Sequence, residues 1–386
     1  MKIALVHDDF CQRGGAERLF EEIAKIYPDA TIYTSLVNWG KIPKSINKDR
    51  INTSFMQKIP FAANLYKLLL PLYPFAFESF DFSQFDLVIS STTRFAKSII
   101  TKPSAIHVSY INSVPRFLYN QNQADQYLSP LLRLILKPYF NWLKRWDKVA
   151  SNRVDLYIAN SKNVQKSVHN QYNRQSVMIH PFADTEFFSI GTKRQRDPSK
   201  ELRASKEPKS DSYYIVVTRL VKWKKIDIAI QAACQLGVNL KIVGTGPDEQ
   251  RLKQILNQVQ NDKIGQNKIE FLGNVAKEEL RALYQNATAL IVTQEEDFGI
   301  AMVEAQSCGI PIIAYKAGGA LEIVIDGKTG IFFKNQSPEA VKDAISMQSK
   351  LKWDISACRE NALRFSKAVF VNSFKKSIDD YAAKTH

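Results

Sequence analysis

Two doubly wound α/β domains, each built on a parallel sheet, are the architecture this sequence predicts, and three observations predict it. The chain has 386 residues, more than a single hydrophobic core usually organises. Short apolar runs alternate with helix-like segments along it, the mark of βα units whose helices cover a parallel sheet. Residues 191–212, GTKRQRDPSKELRASKEPKSDS, interrupt the pattern with charge, two prolines and almost nothing to bury, as an exposed linker does.

In the first half the strand-like runs are 2–7, 30–34, 86–90, 105–110, 156–160 and 177–179. The alternation restarts with 213–218, 240–243, 269–272, 289–293, 312–314 and 330–333. From residue 338 the chain reads as helical, and 369–382 sets Phe370, Phe374 and Tyr381 at helix-compatible spacing. The predicted organisation is a first domain over 1–190, a linker over 191–212, a second domain over 213–365 and a last helix over about 366–386.

Hydrophobic residues make up 45% of the chain, enough for two cores. The formal charge of +15 implies attraction to anions: nucleic acid, an anionic membrane surface or phosphorylated substrates. No helix-turn-helix, RNP-like or zinc-finger pattern accompanies that charge, so nucleic acid is set aside as a partner. Cys11, Cys234, Cys308 and Cys358 lie far apart without metal-ligand spacing, which reads as buried free thiols in a reducing compartment. The opening MKIALVHDDF reads as a first strand rather than a signal peptide, and no apolar stretch reaches membrane-spanning length. The expected location is cytoplasmic, with peripheral attachment to the inner face of the plasma membrane left open.

The richest stretch is 294–309, QEEDFGIAMVEAQSCG, which places Glu296 and Glu304 around a Phe298-Gly299-Ile300 turn. It follows a buried strand and enters a short helix over 300–308, stopped by Gly309 and Pro311. Glu296 therefore falls at the carboxyl end of a strand, where open α/β sheets bind ligands, and Glu304 on the next helix. The amides of residues 298–300 start that helix and offer an anion site. Two glutamates at this spacing alone read as an ordinary strand, acidic loop and helix. Other loops change that reading. Gly14 and Gly15 form a strand-to-helix turn that lets backbone approach a ligand, although a GG pair alone is more often a tight turn. Arg219 and Lys224 follow the first strand of the second half, where two fixed cations could stabilise a leaving diphosphate. Lys222 and Lys225 beside them read as a solvated basic face.

With these motifs together, the chain resembles the family 4 retaining glycosyltransferases of the GT-B fold, in which two Rossmann-like domains face a central cleft. The likeness extends to the bacterial mannosyltransferases of O-antigen and capsule assembly, through VHD at 6–8, GGAE at 14–17, FDLVISS at 85–91, residues 110–119 and 152–155, IANS at 158–161, and EEDFGI with VEAQ at 295–306. The resemblance implies a nucleotide-sugar donor, GDP-mannose before others, and a saccharide or lipid-linked acceptor. It assigns Arg219, Lys224 and Glu296 to the transfer itself. It assigns Glu304 to the ribose, Asn274 and Val275 to the base, and the 298–300 amides with Glu296 to the hydroxyls of the transferred sugar. Gly14 and Gly15 would face the donor pyrophosphate, Tyr110 and Arg116 the acceptor. No metal is implied, since the two cations replace one, and no other cofactor is expected. In related enzymes the last helix returns to the first domain.

One position departs from the family pattern. Asn112 stands in 110–116, YINSVPR, where related mannosyltransferases carry a histidine beside the donor sugar. An amide can hydrogen bond a hydroxyl but cannot titrate near neutrality. That departure keeps open a second reading, a sugar-nucleotide-binding or partner-binding protein of the same fold with impaired turnover. Two segments carry a further ambiguity: 131–148, LLRLILKPYFNWLKRWDK, and 61–80, rich in Leu, Tyr and Phe. Each reads equally as an interfacial membrane helix or as a core-facing helix with snorkelling lysines.

Overall fold

The apolar runs become the strands of two parallel sheets in a computed structural model that describes residues 1–66, 68–119, 130–191, 212–261 and 268–385. The chain divides into two units: Met1–Pro181 with Phe370–His386, and Phe182–Val369.

In unit 1, β1 (Ile3–His7), β2 (Thr31–Thr34), β3 (Ile51–Thr53), β4 (Leu87–Thr92), β5 (Ile106–Ile111), β6 (Leu156–Ala159) and β7 (Val177–Met178) pair in the order β3-β2-β1-β4-β5-β6-β7. Every recorded pairing is parallel. β4 and β5 are buried along their whole length, as a strand covered on both faces must be, and apart from His107 and Tyr110 their residues are accordingly apolar or small. β3 has no counterpart among the predicted strands. It is three residues long and only half-buried at the sheet edge, too short for periodicity to mark it.

In unit 2, β8 (Tyr213–Val217), β9 (Asn239–Val243), β10 (Ile269–Gly273), β11 (Leu290–Val292), β12 (Ile312–Tyr315) and β13 (Gly330–Phe333) pair in the order β10-β9-β8-β11-β12-β13, again all parallel. Each unit is thus a Rossmann-like α/β domain in which the first strand sits inside the sheet and the chain winds outward on both sides.

The division between the units comes earlier than residue 190. Phe188 is fully buried against Tyr284 of unit 2, and the Arg359 guanidinium donates to the Thr185 and Phe188 carbonyls at 2.5 and 2.7 Å. Residues 182–190 therefore belong to the second core, and 191–212 falls within the span of unit 2 rather than between the units. Of that stretch, 192–211 lies outside the described residues. The last helix, Lys367–Thr385, enters unit 1 at Phe370.

A buried ion pair fixes the long helix Pro130–Ala150 in unit 1. Lys97 and Asp147 meet at 2.5 Å with both side chains wholly buried. Asp147 also accepts from the hydroxyls of Tyr119 and Tyr172 at 2.9 and 2.8 Å, and Lys97 donates to the Arg94 carbonyl at 2.9 Å. A buried charge is tolerable only when satisfied in this way. Lys97→Met should therefore lower unfolding free energy by about 3–5 kcal/mol in urea titrations, because it strands the Asp147 carboxylate; a loss near zero would contradict the anchoring role.

His107 in β5 is also buried and fully satisfied, with Nδ1 donating to the Arg153 carbonyl at 3.2 Å and Nε2 accepting from the Ser90 hydroxyl at 3.0 Å. Burial lowers its pKa from the ordinary 6.5 to about 4. A depressed pKa contributes stability above the unfolded value, and that stability drains away as pH falls, because the unfolded chain takes the proton first. From pH 6.5 to about 4 the chain should lose about 3 kcal/mol through this residue. His107→Gln should show a flatter melting profile over that window; an identical pH dependence would refute the assignment.

Candidate functional site

Doubly wound sheets open a crevice where the strand order reverses, beyond the carboxyl ends of the two central strands. In unit 2 those strands are β8 and β11. The loops that leave them carry Arg219 and Lys224 from β8, and Gln294, Glu296 and Phe298 from β11.

The β8 loop is held by its own apolar residues. Leu220 and Val221 are buried, the Leu220 amide donates to the Thr245 carbonyl at 3.0 Å, and the Asp248 amide donates back to the Leu220 carbonyl at 3.1 Å. A single 3₁₀ turn over Lys222–Lys224 follows, closed by Lys225 in the left-handed region with φ 50°. This turn directs Lys224 inward while Arg219 and Lys222 stay exposed. Lys224 is 7% exposed and forms an ion pair with Glu296. Its ammonium also lies 4.1 Å from the Trp223 ring centroid, a cation–π contact that suits a partly dehydrated charge.

Further contacts tie this pair to its surroundings. The Gln294 amide donates to the same Glu296 oxygen at 2.6 Å, and the Thr293 hydroxyl donates to the Lys224 carbonyl at 2.6 Å. Gln336 donates to the Thr293 carbonyl at 2.8 Å and accepts from the Lys225 ammonium at 2.7 Å. Gly318 and Gly319 lie against the backbone of the β11 loop. A Cβ on Gly318 would sit 2.2 Å from the Glu296 carbonyl oxygen, and one on Gly319 would sit 2.1 Å from that of Phe298. The Gly319 amide donates to the Glu296 carbonyl at 2.8 Å. These glycines admit the loop that presents Glu296, which is how their turn-forming sequence acts here.

The helix after the turn is Ile300–Ser307, one residue shorter than expected, and its first amides have no acceptor within the helix. Gly299 begins it at φ 100°. The Phe298 side chain is buried against Phe365, with ring centroids 5.3 Å apart, so only its backbone can serve a ligand. Glu304 is also buried, and the Tyr284 hydroxyl donates to it at 3.5 Å. Asn274 and Val275 follow β10, exposed and half-buried respectively.

In unit 1 the corresponding crevice lies beyond β1 and β4. It holds a cluster of which the motifs named only Asp8, within VHD at 6–8, and gave it no role. Asp8 accepts six hydrogen bonds: from the Thr92 and Thr93 hydroxyls and from the amides of Thr93, Arg94, Phe95 and Ala96, at 2.6–3.0 Å. Burial raises its pKa, but Arg94, His7 and the backbone amides outweigh burial and the net shift is downward. Asp9 accepts from Tyr73 at 3.1 Å and pairs with Arg94. The signal available in the sequence was Asp8-Asp9 ending the first strand and Thr92-Thr93-Arg94 ending the fourth, two neighbours across the reversal.

Gly14 caps the helix Gly15–Ile26, and its amide donates to the Glu17 carboxylate at 2.7 Å; the nearest group at this turn is therefore the protein's own. Asn112 follows β5 and donates to the Ser91 hydroxyl at 3.3 Å and the Thr92 carbonyl at 3.4 Å, facing the same strand ends as Asp8. Arg116 opens the short helix Arg116–Tyr119, half-buried. Tyr110 must be corrected. It is wholly buried, donates to the Ile179 carbonyl at 2.8 Å and packs on Phe370 and Phe374, so it is a core residue that no acceptor reaches. Its place one residue before the last of a fully buried strand accounts for this.

Residues 198–364 match the family described as glycosyl transferases group 1. The matched stretch includes Arg219, Lys224, Glu296 and Glu304. Among curated relatives, a D-inositol 3-phosphate glycosyltransferase of Mycobacteroides abscessus is 29% identical over 60% of this chain and 54% of its own length. An uncharacterized glycosyltransferase of Methanocaldococcus jannaschii is 34% identical over 43% of this chain and 42% of its own. The chain spans about half the length of the curated relatives it matches. Among solved structures, Anabaena HepE in complex with UDP and glucose aligns over 98% of this chain and 99% of its own with TM-score 0.68 at 22% identity. The sucrose-phosphate synthase of Thermosynechococcus elongatus aligns over the whole of both chains with TM-score 0.72 at 16% identity. The fold is accordingly GT-B, with two Rossmann-like domains.

Within the matched stretch, Lys224 and Glu296 should be energetically coupled. A double-mutant cycle of Lys224→Met and Glu296→Gln, read by urea unfolding, should give a coupling of about 1–2 kcal/mol. Additive losses would mean that the pair does not hold the two loops together.

Proposed function

We propose that the chain is a retaining glycosyltransferase that moves a hexose from a nucleoside-diphosphate sugar to a saccharide or lipid-linked acceptor in cell-surface polysaccharide assembly. The observation that carries this reading is the Lys224–Glu296 pair at the strand reversal of unit 2, with Arg219 on the same loop. In the transfer, the bond between the anomeric carbon and the phosphate oxygen breaks and its electrons leave with the nucleoside diphosphate. The acceptor hydroxyl oxygen bonds to the same carbon, and its proton passes to the departing phosphate. Arg219 and Lys224 place fixed positive charge where the leaving group gains negative charge, each contributing roughly 3 kcal/mol to the transition state. Glu296 orients Lys224 and accepts from hydroxyls of the transferred sugar. Glu304, a buried acceptor, is assigned to the ribose hydroxyls, and Asn274 and Val275 to the base. By the same resemblance Gly14, Gly15 and Asn112 are assigned to the donor and Arg116 to the acceptor. With two cations on the leaving group, no metal is needed.

GDP-mannose is the donor favoured by the sequence motifs. HepE, solved with UDP-glucose, supports a UDP-sugar as the second reading. A non-catalytic sugar-nucleotide binder remains the reading motivated by Asn112.

Incubation with GDP-mannose, UDP-glucose and other donors, with and without membrane extract, should release free nucleoside diphosphate in the presence of chelator. Lys224→Met and Glu296→Ala should each lower that rate by about 10²–10³-fold while the fold persists by circular dichroism. If donors bind by calorimetry but none yields diphosphate with any acceptor, the non-catalytic reading stands instead. If a chelator abolishes turnover, the assignment of the charge to Arg219 and Lys224 alone fails.

A further inference from the structure

Unit 1 carries an apolar and basic face that serves none of the chemistry above. Along the helix Pro130–Ala150, Leu134 and Ile135 are 67% and 64% exposed, and Trp142 and Val149 continue the exposed row at helical spacing. The indole of Trp142 stacks on the exposed ring of Phe75 at 6.3 Å. That contact joins the helix to the turn-rich segment before Phe75, where Phe61 and Leu68 are 79% and 75% exposed. Single exposed apolar residues are ordinary; large ones gathered on two adjoining segments mark an interaction surface.

The charges on the same helix choose the partner. Lys137, Arg145 and Lys148 are exposed and Lys144 is half-buried, its ammonium 4.9 Å from the Tyr119 ring centroid, and among the described residues none of the four pairs with a carboxylate. Lys144, Arg145 and Lys148 line a groove of about 320 Å³ with Asn141. The sequence has no Asp or Glu between Asp49 and Glu78, nor between Asp125 and Asp147, and Asp147 is buried under Lys97. A protein partner with a mixed surface would call for mixed charge here. Cations beside exposed Leu, Ile, Trp and Phe instead match a bilayer surface, with its anionic headgroups over an apolar interior.

We propose that this face of unit 1 binds an anionic lipid bilayer, with Leu134, Ile135, Phe75 and Trp142 entering the interfacial layer and Lys137, Lys144, Arg145 and Lys148 contacting headgroups. Among the described residues no helix is long and apolar enough to cross a membrane, so attachment is from one side and reversible. It is independent of the reaction assigned to unit 2, and its test needs no turnover.

The test is co-sedimentation of the purified full chain with vesicles of phosphatidylglycerol mixed into phosphatidylcholine, against phosphatidylcholine alone. Binding to the mixed vesicles should be at least about tenfold tighter and should weaken as salt rises. The triple variant Lys144→Glu, Arg145→Glu, Lys148→Glu should bind about a hundredfold more weakly. The variant Leu134→Ser, Ile135→Ser removes exposed side chains only and should lose about tenfold with its melting temperature unchanged. Equal binding to both vesicle types, or unchanged binding by both variants, would overturn the proposal. So would a concentration-dependent dimer that the Leu134→Ser, Ile135→Ser change abolishes while wild-type protein ignores vesicles, since the face would then cover a second copy of the chain.

Discussion

Right-handed crossovers tie the direction in which a parallel sheet grows to the face its helices cover, so a sheet with helices on both faces must reverse once. That constraint governs both units. It puts β1 beside β4 and β8 beside β11, and the loops leaving those neighbours diverge to opposite faces, leaving a crevice that no helix fills. The carboxylates and cations gathered there are consequences of position. In unit 1 the crevice is occupied by Asp8, Asp9 and Arg94, which satisfy one another and the loop Thr92–Ala96. In unit 2 it presents Lys224 and Glu296 with the exposed Arg219 beside them. The same topology thus yields a self-satisfied cluster in one unit and a charged, partly open one in the other.

Much of this was legible in the sequence because buried parallel strands are nearly continuous apolar runs, and these end where a loop must begin. Residues 289–293 gave β11 and so placed Glu296; residues 213–218 gave β8 and placed Arg219 and Lys224. What failed did so for physical reasons. Tyr110 lies in a motif, yet alternation along a fully buried strand says nothing about which face meets a helix, and the helix it meets, at Phe370 and Phe374, is remote in sequence. The boundary near 190 followed the charged stretch, whereas the core followed Phe188. Gln294 and Gln336 gave no signal, because a neutral amide acquires its role only through the groups that folding brings to it. Asp8 is similar: six donors converge on it from a loop far away in the chain.

The charge balance also divides by burial. Inside the units, cations are matched to carboxylates with further hydrogen bonds, as at Lys97 with Asp147 and Arg94 with Asp9. The excess of +15 therefore resides on surfaces, where it acts on other molecules more than on the fold. One part of it lies on the helix Pro130–Ala150, beside the apolar row that includes Trp142.

Unit 1 is discontinuous in sequence, and this orders events during synthesis. Tyr110, inside its sheet on β5, packs on Phe370 and Phe374, residues that leave the ribosome only after the whole of Phe182–Val369 has been made. The nascent first unit must therefore persist with Tyr110 of β5 uncovered on the side of Phe370 and Phe374 while 182–369 is translated. Domains usually fold as units in the order they emerge. Here the first to be started is the last that can be finished, and an exposed apolar strand face during that interval is what a chaperone would recognise.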